Sequence, residues 1–243
     1  MGSQKGVIVR ATVGNVIYYA LDGKGVMRSK PNRIRQTSAT VKTGQEFGKA
    51  SRLGKHIRSI VKPINPCRDD RKVMFRLTGT LNLLVHRRDE NPASPEKNQS
   101  ALAYLDHFQF NKDGAYSCLE RIEMEPKLLD NRRSGLQFSS FIPSRIFGSV
   151  PSDTTKIYLR VQVIAAEPDR CTAHLLGEAD WQIPFGEEPF SPEDLDFKTS
   201  AEPGNLLLTV AAAEYERNRN GNMVIDPRLN FRPCGVIRTE MIF

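Results

Sequence analysis

The feature that most restricts the fold is a strict alternation of side chains between residues 156 and 167. Ile157, Leu159, Val161, Val163 and Ala165 alternate with Tyr158, Arg160, Gln162 and Ile164. Because successive side chains of a strand point to opposite faces, this pattern predicts a strand with one buried face. Further strands are predicted at residues 107–110, 115–119, 136–142, 174–176, 179–185, 205–216, 224–225 and 234–243. Roughly seven to nine strands without βαβ alternation predict an antiparallel β-sandwich of the immunoglobulin-like or jelly-roll type.

Two helices are predicted before these strands. The first runs from about Thr40 to Val61, and its apolar side is Phe47, Ala50, Leu53, Gly54, Ile57, Ile60 and Val61. Candidate caps are Thr37, Ser38 and Thr40. The second runs from Asp69 or Asp70 to about His86, with the apolar stripe Val73, Met74, Leu77, Leu81, Leu84 and Val85. The short proline-containing link between them favours an α-hairpin.

The amino-terminal residues predict a small β-ribbon. The run GVIVRATVGNVIYYA contains two β-rich stretches separated by Gly14-Asn15, and Asp22-Gly23 is typical of a hairpin turn. We therefore expect a mainly β protein with an N-terminal α-hairpin in three parts. Residues 1–86 form a basic ribbon and helical hairpin, 87–100 form a charged linker or exposed loop, and 101–243 form the sandwich.

Charge is segregated along the chain. Residues 1–64 contain 13 Lys or Arg and two acids, which gives +11, whereas residues 65–243 contain 22 and 26, which gives −4. These two values sum to the net charge of +7. A positive segment without compensating acids indicates a partner that supplies anions, either phosphates or carboxylates of another protein.

Two sets of charged residues are the candidate binding sites. The partner- or phosphate-binding set is Arg28, Lys30, Arg33, Arg35, Lys49, Arg52, Lys55, Arg58 and Lys62. The acidic set, which we expect in a solvated loop, is Glu187, Glu188, Glu193, Asp194 and Asp196. Opposite charges at different places on one molecule favour head-to-tail contact between copies.

Catalytic and metal-binding patterns are absent from the sequence. The four histidines are isolated, and no spacing typical of zinc, calcium, nucleotide or nucleophile sites occurs. The four cysteines lie far apart, which favours reduced thiols. We therefore predict no cofactor, no metal and no enzyme activity. No apolar run is long enough for a membrane span and no secretory signal is seen, so we expect synthesis in the cytoplasm.

The stretch GNVIYYALDGKGVMRSKPNRIRQTSATVKTGQEFGKAS, residues 14–51, resembles the amino-terminal module of small uncharacterised proteins of Bacteroidetes and of prophage-associated proteins. The stretch NLLLTVAAAEYERNRNGNMVIDPRLNF is similar to the strand, Asn-Gly turn and final strand that end many of them. This resemblance covers the first quarter and the last sixth of the chain. It implies a non-enzymatic structural component, which could belong to a virion-like or exported assembly.

The leading hypothesis from the sequence is a structural or interaction protein that forms homo-oligomers or joins a multi-protein assembly. The alternative is a protein that binds nucleic acid without sequence specificity through residues 28–62, because a run of cations displaces counterions from phosphates.

Overall fold

The computed structural model describes residues 11–21, 24–30, 36–65, 71–90, 102–130, 133–148, 150–151, 153–198 and 205–241. The described part of the chain is mainly β, and its sheets are antiparallel. It divides into two compact units, residues 1–43 and residues 44–243.

The first unit contains the predicted ribbon. Strands β1 (Ala11–Val13), β2 (Val16–Leu21) and β3 (Lys24–Ser29) form an antiparallel sheet in the order β1-β2-β3, which we call the ribbon sheet. Gly14 turns the chain between β1 and β2 with φ +58°, a conformation that glycine adopts without strain. None of the residues in these three strands is buried.

Two long helices follow the ribbon sheet. Helix α1 spans Ser38–Val61, and helix α2 spans Arg71–Glu90. Thr37 caps α1, because its hydroxyl oxygen accepts a hydrogen bond from the Thr40 amide at 3.2 Å. The first helix therefore begins two residues before the predicted start, at the position that the capping residues favour.

The two helices contact each other through the close approach that Gly54 permits. A Cβ atom at Gly54 would lie 3.3 Å from Leu81 Cδ1 and 3.7 Å from Leu77 Cδ2. At the other end of the contact, His86 Nδ1 lies 3.0 Å from Glu46 Oε2. The helical hairpin stays a prediction, because residues 66–70 of the connection are outside the described part of the chain.

The predicted buried side of α1 was wrong at one position. Phe47 is 52% exposed, whereas its neighbour Glu46 is buried at 3% exposure. Since the ring of His86 reaches the Glu46 carboxylate, the polar residue has a partner inside the helix pair. On α2, Met74 was assigned to the apolar stripe but is 41% exposed.

The linker predicted at residues 87–100 begins inside a helix. Residues 87–90 belong to α2, and residues 91–100 are outside the described part of the chain. The boundary between the two units lies within α1, between Thr43 and Gly44. The division into a 1–86 module and a 101–243 domain stays a prediction.

The largest sheet, which we call the central sheet, is built on three long strands. They are β6 (Thr154–Glu167), β7 (Thr172–Pro184) and β9 (Leu206–Arg219). Strand β6 pairs with β7 on one side and with β9 on the other. The second edge of β9 pairs with β10 (Asn222–Ile225) and, further along, with β11 (Cys234–Met241).

A smaller sheet, the cover sheet, consists of β4 (Met124–Asp130), β5 (Arg133–Phe138) and β8 (Leu195–Lys198) in the order β4-β5-β8. Short helical segments lie beside the sheets: α3 (Ser117–Glu120), α4 (Pro143–Ile146) and a 3-10 turn (Leu229–Phe231). Pro126 is tolerated within β4 because β4 lies at the edge of its sheet.

The central sheet contributes to two hydrophobic cores. In one, even-numbered β9 residues such as Leu208 and Val210 pack with Leu53 of α1 and Leu77 of α2. In the other, odd-numbered residues such as Ala213 pack with residues of the cover sheet. Part of the central sheet is therefore buried on both faces, and this explains the nearly continuous apolar sequence LLLTVAAA.

The alternation predicted for β6 is confirmed only in its first half. Ile157, Leu159 and Val161 are fully buried and are separated by half-buried residues. From Gln162 to Ala166 every residue is buried. The second face is covered here because Ile164 belongs to the core that includes α1 and α2.

Several short strand predictions were wrong. Residues 107–110 contribute only an isolated bridge between Gln109 and Gly235, and residues 117–120 form α3. The Leu119 N–H donates a local hydrogen bond to Tyr116 O, which is typical of a turn. Residues 107–110 instead lie against β11, where Phe110 N–H donates to Cys234 O and Val236 N–H donates to Phe108 O, each at 2.8 Å. Strands β4 and β8 were not predicted. The two pieces predicted at 174–176 and 179–185 form one strand, β7, interrupted by a bulge.

The space around the α1 glycines predicts opposite effects of substitution. Gly54→Leu should destabilise the protein by about 1–3 kcal/mol, because the larger side chain overpacks the contact with Leu77 and Leu81. Gly48→Ala should stabilise it by about 0.5–1 kcal/mol, because a Cβ there meets nothing within 4 Å. Urea unfolding followed by circular dichroism measures both effects. An unchanged midpoint for Gly54→Leu would contradict the close contact.

Candidate functional site

The predicted basic set falls into three parts. Arg33 and Arg35 lie outside the described residues. Arg28 is in β3, and Lys30 directly follows the last residue of that strand. Both belong to the first unit. The remaining five cations belong to the second unit: Lys49, Arg52, Lys55, Arg58 and Lys62.

Three of these five cations are exposed and form what we call the basic helix face. Arg52 and Lys55 lie one turn apart on α1, and Lys62 follows the last residue of the helix. All three are exposed, and none forms an ion pair with a described carboxylate. Lys49 and Arg58 are half-buried. The opposite side of α1 is fixed in a hydrophobic core, so the helix presents this face to solvent in a defined orientation.

Arg58 differs from the other cations because its guanidinium is partly removed from water. Burial lowers the pKa of Arg58 below its ordinary value. Its Nη1 atom is buried and has no hydrogen-bond partner among the described residues, and it packs beside Gly54 at 3.4 Å from the position of a Cβ. Arg58 therefore contributes mainly to the packing of α1, and we do not count it in the basic helix face.

An open pocket of about 660 Å³ lies on the amino-terminal half of α1. It is lined by Gln45, Phe47, Gly48, Lys49, Ser51 and Arg52. The ring of Phe47 is half exposed, and none of the described residues that line the pocket is a carboxylate. The pocket therefore offers an aromatic surface next to two cations, a combination that suits an anionic or aromatic ligand.

The predicted acidic set lies mainly in the connection between β7 and β8. Glu187, Glu188, Glu193 and Asp194 are exposed in this connection, which we call the acidic loop. Asp196 is exposed as well, but it belongs to β8 and pairs with Gly135, so its place in a loop was wrongly predicted.

The acidic loop is anchored at a few points. Phe190 exchanges two backbone hydrogen bonds with Phe141, at 2.9 and 2.8 Å. Asp194 forms an ion pair with Lys127 at 2.8 Å, and this hydrogen bond raises the pKa of Lys127. Glu187, Glu188 and Glu193 form no ion pair with a described cation. The loop therefore presents three carboxylates to solvent from a fixed position.

Other charged residues of the central sheet satisfy each other. Arg160 lies between two strands and contacts Asp180 at 3.2 Å and Glu214 at 3.6 Å. The hydroxyl of Tyr158 donates to Glu216 at 2.8 Å. Because these groups already have partners, they are poor candidates for a binding site. This set of pairs could not be predicted from the sequence, because its members are far apart in the chain.

No protein-family model, curated protein or solved structure matches this chain. The candidate site is therefore interpreted from its own geometry and charges.

No group of three or more His, Cys, Asp or Glu residues that could hold a metal lies within the described part of the chain. Cys118 lies 3.8 Å from the Tyr215 hydroxyl beside a cavity of about 30 Å³. Burial raises the pKa of Cys118 to about 11, which keeps the thiol protonated and weakly nucleophilic. None of the described helices is long and apolar enough to cross a bilayer.

Asp226, which directly follows β10, is the most buried carboxylate among the described residues, at 1% exposure. It accepts hydrogen bonds from Arg217 Nη1 at 2.9 Å and from Arg228 Nη2 at 2.6 Å. Arg217 also contacts Asp153, just before β6. The hydrogen bonds from Arg228 contribute most to lowering the pKa of Asp226 far below its ordinary value.

This network predicts a pH-dependent contribution to stability. Asp226→Asn should destabilise the protein by about 2–3 kcal/mol at neutral pH, because two arginines lose their buried anion. The Asp226 carboxylate contributes fully to the free energy of unfolding above the pKa of about 3.9 that it has in the unfolded chain. This contribution is lost as the pH falls towards the lower pKa of Asp226 in the folded protein. The difference between wild type and variant should therefore narrow below about pH 4. Urea unfolding across pH measures it; a constant difference would contradict this role.

Proposed function

We propose that this protein is a non-enzymatic structural or interaction protein that joins copies of itself into a larger assembly. One observation carries the proposal. The basic helix face and three carboxylates of the acidic loop, those of Glu187, Glu188 and Glu193, are exposed, and these charges form no ion pair with an opposite charge among the described residues. Carboxylates of one copy can therefore meet cations of another.

The chemistry of the two surfaces supports a heterologous contact. Arg52, Lys55 and Lys62 carry one sign of charge, and Glu187, Glu188 and Glu193 carry the other. A contact between two different surfaces of identical chains generates a ring if it closes and a filament if it does not. In this proposal the antiparallel sheets form a sandwich-like body, and the basic helix face is the surface that meets the acidic loop of a neighbour. A phage-like or filamentous assembly is the larger structure that the sequence resemblance favours.

The strength of such a contact depends on salt. Interactions between exposed charges are screened beyond about 8 Å at physiological ionic strength. Individual surface pairs contribute about 0–1 kcal/mol each, so several pairs must act together. We expect self-association at low salt and high protein concentration, with dissociation as salt is added.

A second candidate function, binding of single-stranded nucleic acid, is favoured by the pocket on α1. Phe47 provides a stacking surface, and Lys49 and Arg52 lie at the same pocket, where phosphates could bind. The ring of Phe47 is 52% exposed, so a base can stack on it without displacing other side chains of the core.

Charge reversal tests the assembly. Arg52→Glu/Lys55→Glu and Glu187→Lys/Glu188→Lys should each abolish the large species seen by light scattering at low salt, because each makes both surfaces carry the same sign. Mixing the two variants should restore association, because their reversed surfaces are complementary to each other.

The control for this experiment is Lys112→Glu/Arg121→Glu, which makes the same change of charge at exposed residues outside both surfaces. This variant should associate like wild type. A wild-type protein that stays a monodisperse monomer at low salt and high concentration would overturn the assembly proposal.

A titration with labelled oligonucleotides tests the second candidate. Phe47→Ala should weaken binding of single strands by about 1–3 kcal/mol, the contribution of one stacked base, and should leave duplex binding unchanged. Arg52→Ala/Lys55→Ala should weaken both and lower the slope of log K against log salt by about 0.9 per lost phosphate contact with a duplex. Phe75→Ala, at another exposed ring, is the control. Equal losses for Phe47→Ala and Phe75→Ala, or an unchanged slope, would reject nucleic-acid binding here.

A further inference from the structure

The ribbon sheet has one face without any charged side chain. Cross-strand partners place their side chains on the same face of an antiparallel sheet. The register therefore puts Ala11, Val13, Val16, Tyr18, Ala20, Gly25, Met27 and Ser29 on one face, which we call the neutral face. The opposite face, which we call the basic ribbon face, carries Thr12, Ile17, Tyr19, Leu21, Lys24, Val26 and Arg28.

The neutral face is apolar, and its larger side chains are exposed. Val13 is 64% exposed and Met27 is 69% exposed, and Tyr18 is 37% exposed between them. No residue of the three strands is buried, so the described part of this sheet has no core. Small sheets need a hydrophobic face that is packed against something, and exposed apolar patches mark interaction sites.

The distribution of charge on the two faces favours a second copy of the chain as the partner of the neutral face. The basic ribbon face stays compatible with water or with an anionic surface, because Lys24 and Arg28 lie on it and the Arg28 guanidinium lies 5.6 Å from the centre of the Tyr19 ring. Two copies that approach through this face would oppose like charges. Two copies that approach through their neutral faces bury no charge at all, so a second copy is the occupant that this pattern fits.

The shape of the neutral face also complements itself. The row Ala11-Tyr18-Met27 contains the two largest side chains of this face, whereas the described residues of the next row are Ala20 and Gly25. A Cβ at Gly25 would meet nothing within 4 Å, so the space above this row is open. Large residues opposite small ones allow two layers to interdigitate. A two-fold axis would place Tyr18 and Met27 of each copy over the small row of the other.

We propose that the neutral face of the ribbon sheet pairs with the neutral face of a second copy to form a two-fold dimer. Such an interface uses the same patch on both subunits and is closed. It is separate from the charge contact proposed above and does not depend on it. The two contacts together would join closed dimers into a larger assembly.

Salt separates the two proposals. At about 1 M salt the screening length falls to about 3 Å, so contacts between exposed charges are lost, whereas burial of apolar surface is not weakened. We expect sedimentation equilibrium at about 1 M salt to show a dimer even where the larger species have dissociated. A monomer under these conditions would overturn the neutral-face dimer and leave the charge-based assembly standing.

Paired variants locate the interface. Val13→Glu/Met27→Glu adds two acids to the neutral face at exposed positions and should convert the high-salt dimer to a monomer, with a dimer dissociation constant raised at least tenfold. Thr12→Glu/Leu21→Glu adds two acids to exposed positions of the basic ribbon face and should leave the high-salt dimer intact. Circular dichroism confirms that both variants are folded. A dimer that survives Val13→Glu/Met27→Glu, or that is lost equally in the control, would refute the assignment.

Discussion

The pairing of β6 with β9 is the interaction on which the second unit depends. These two strands run side by side from the pair Thr154–Arg217 to the pair Ala166–Leu206. Because their side chains alternate between faces, each strand contributes to both hydrophobic cores at once. A shift of one residue in this register would turn the residues of one core towards the other. The orientation of α1, and with it the basic helix face, follows from this register because α1 packs on one of the two cores.

Periodicity predicted the long elements well and the short ones poorly. Helix α1 and strands β6 and β9 are long enough for several repeats of their pattern, so the sequence identifies them directly. Residues 107–110 and 115–119 were too short to distinguish a strand from a turn. The burial of Glu46 instead of Phe47 on α1 could not be predicted from the sequence. The buried Glu46 carboxylate is stabilised by His86, which lies forty residues away in the chain.

The charged residues of the candidate site were found by composition, but their roles depend on tertiary distances. Arg160 and Arg52 look alike in the sequence, yet Arg160 lies between two carboxylates of neighbouring strands while Arg52 faces solvent. Several charges of the central sheet pair across neighbouring strands, whereas the basic helix face and three carboxylates of the acidic loop form no ion pair with a described residue. Exposed ion pairs add little to folding stability, so these surface groups are free to serve recognition without cost to the fold.

The core between the helices and the central sheet joins parts of the chain that are made far apart in time. Leu53 and Leu77 are synthesised first, but they pack with Leu208 of β9 and Val236 of β11. Until those strands emerge from the ribosome, the apolar stripes of α1 and α2 have no sheet to cover them. Contacts so distant in sequence give a high contact order, which slows folding and prolongs the exposure of aggregation-prone surface. The apolar stripes of the nascent helices therefore stay exposed until the last strand of the central sheet has been made.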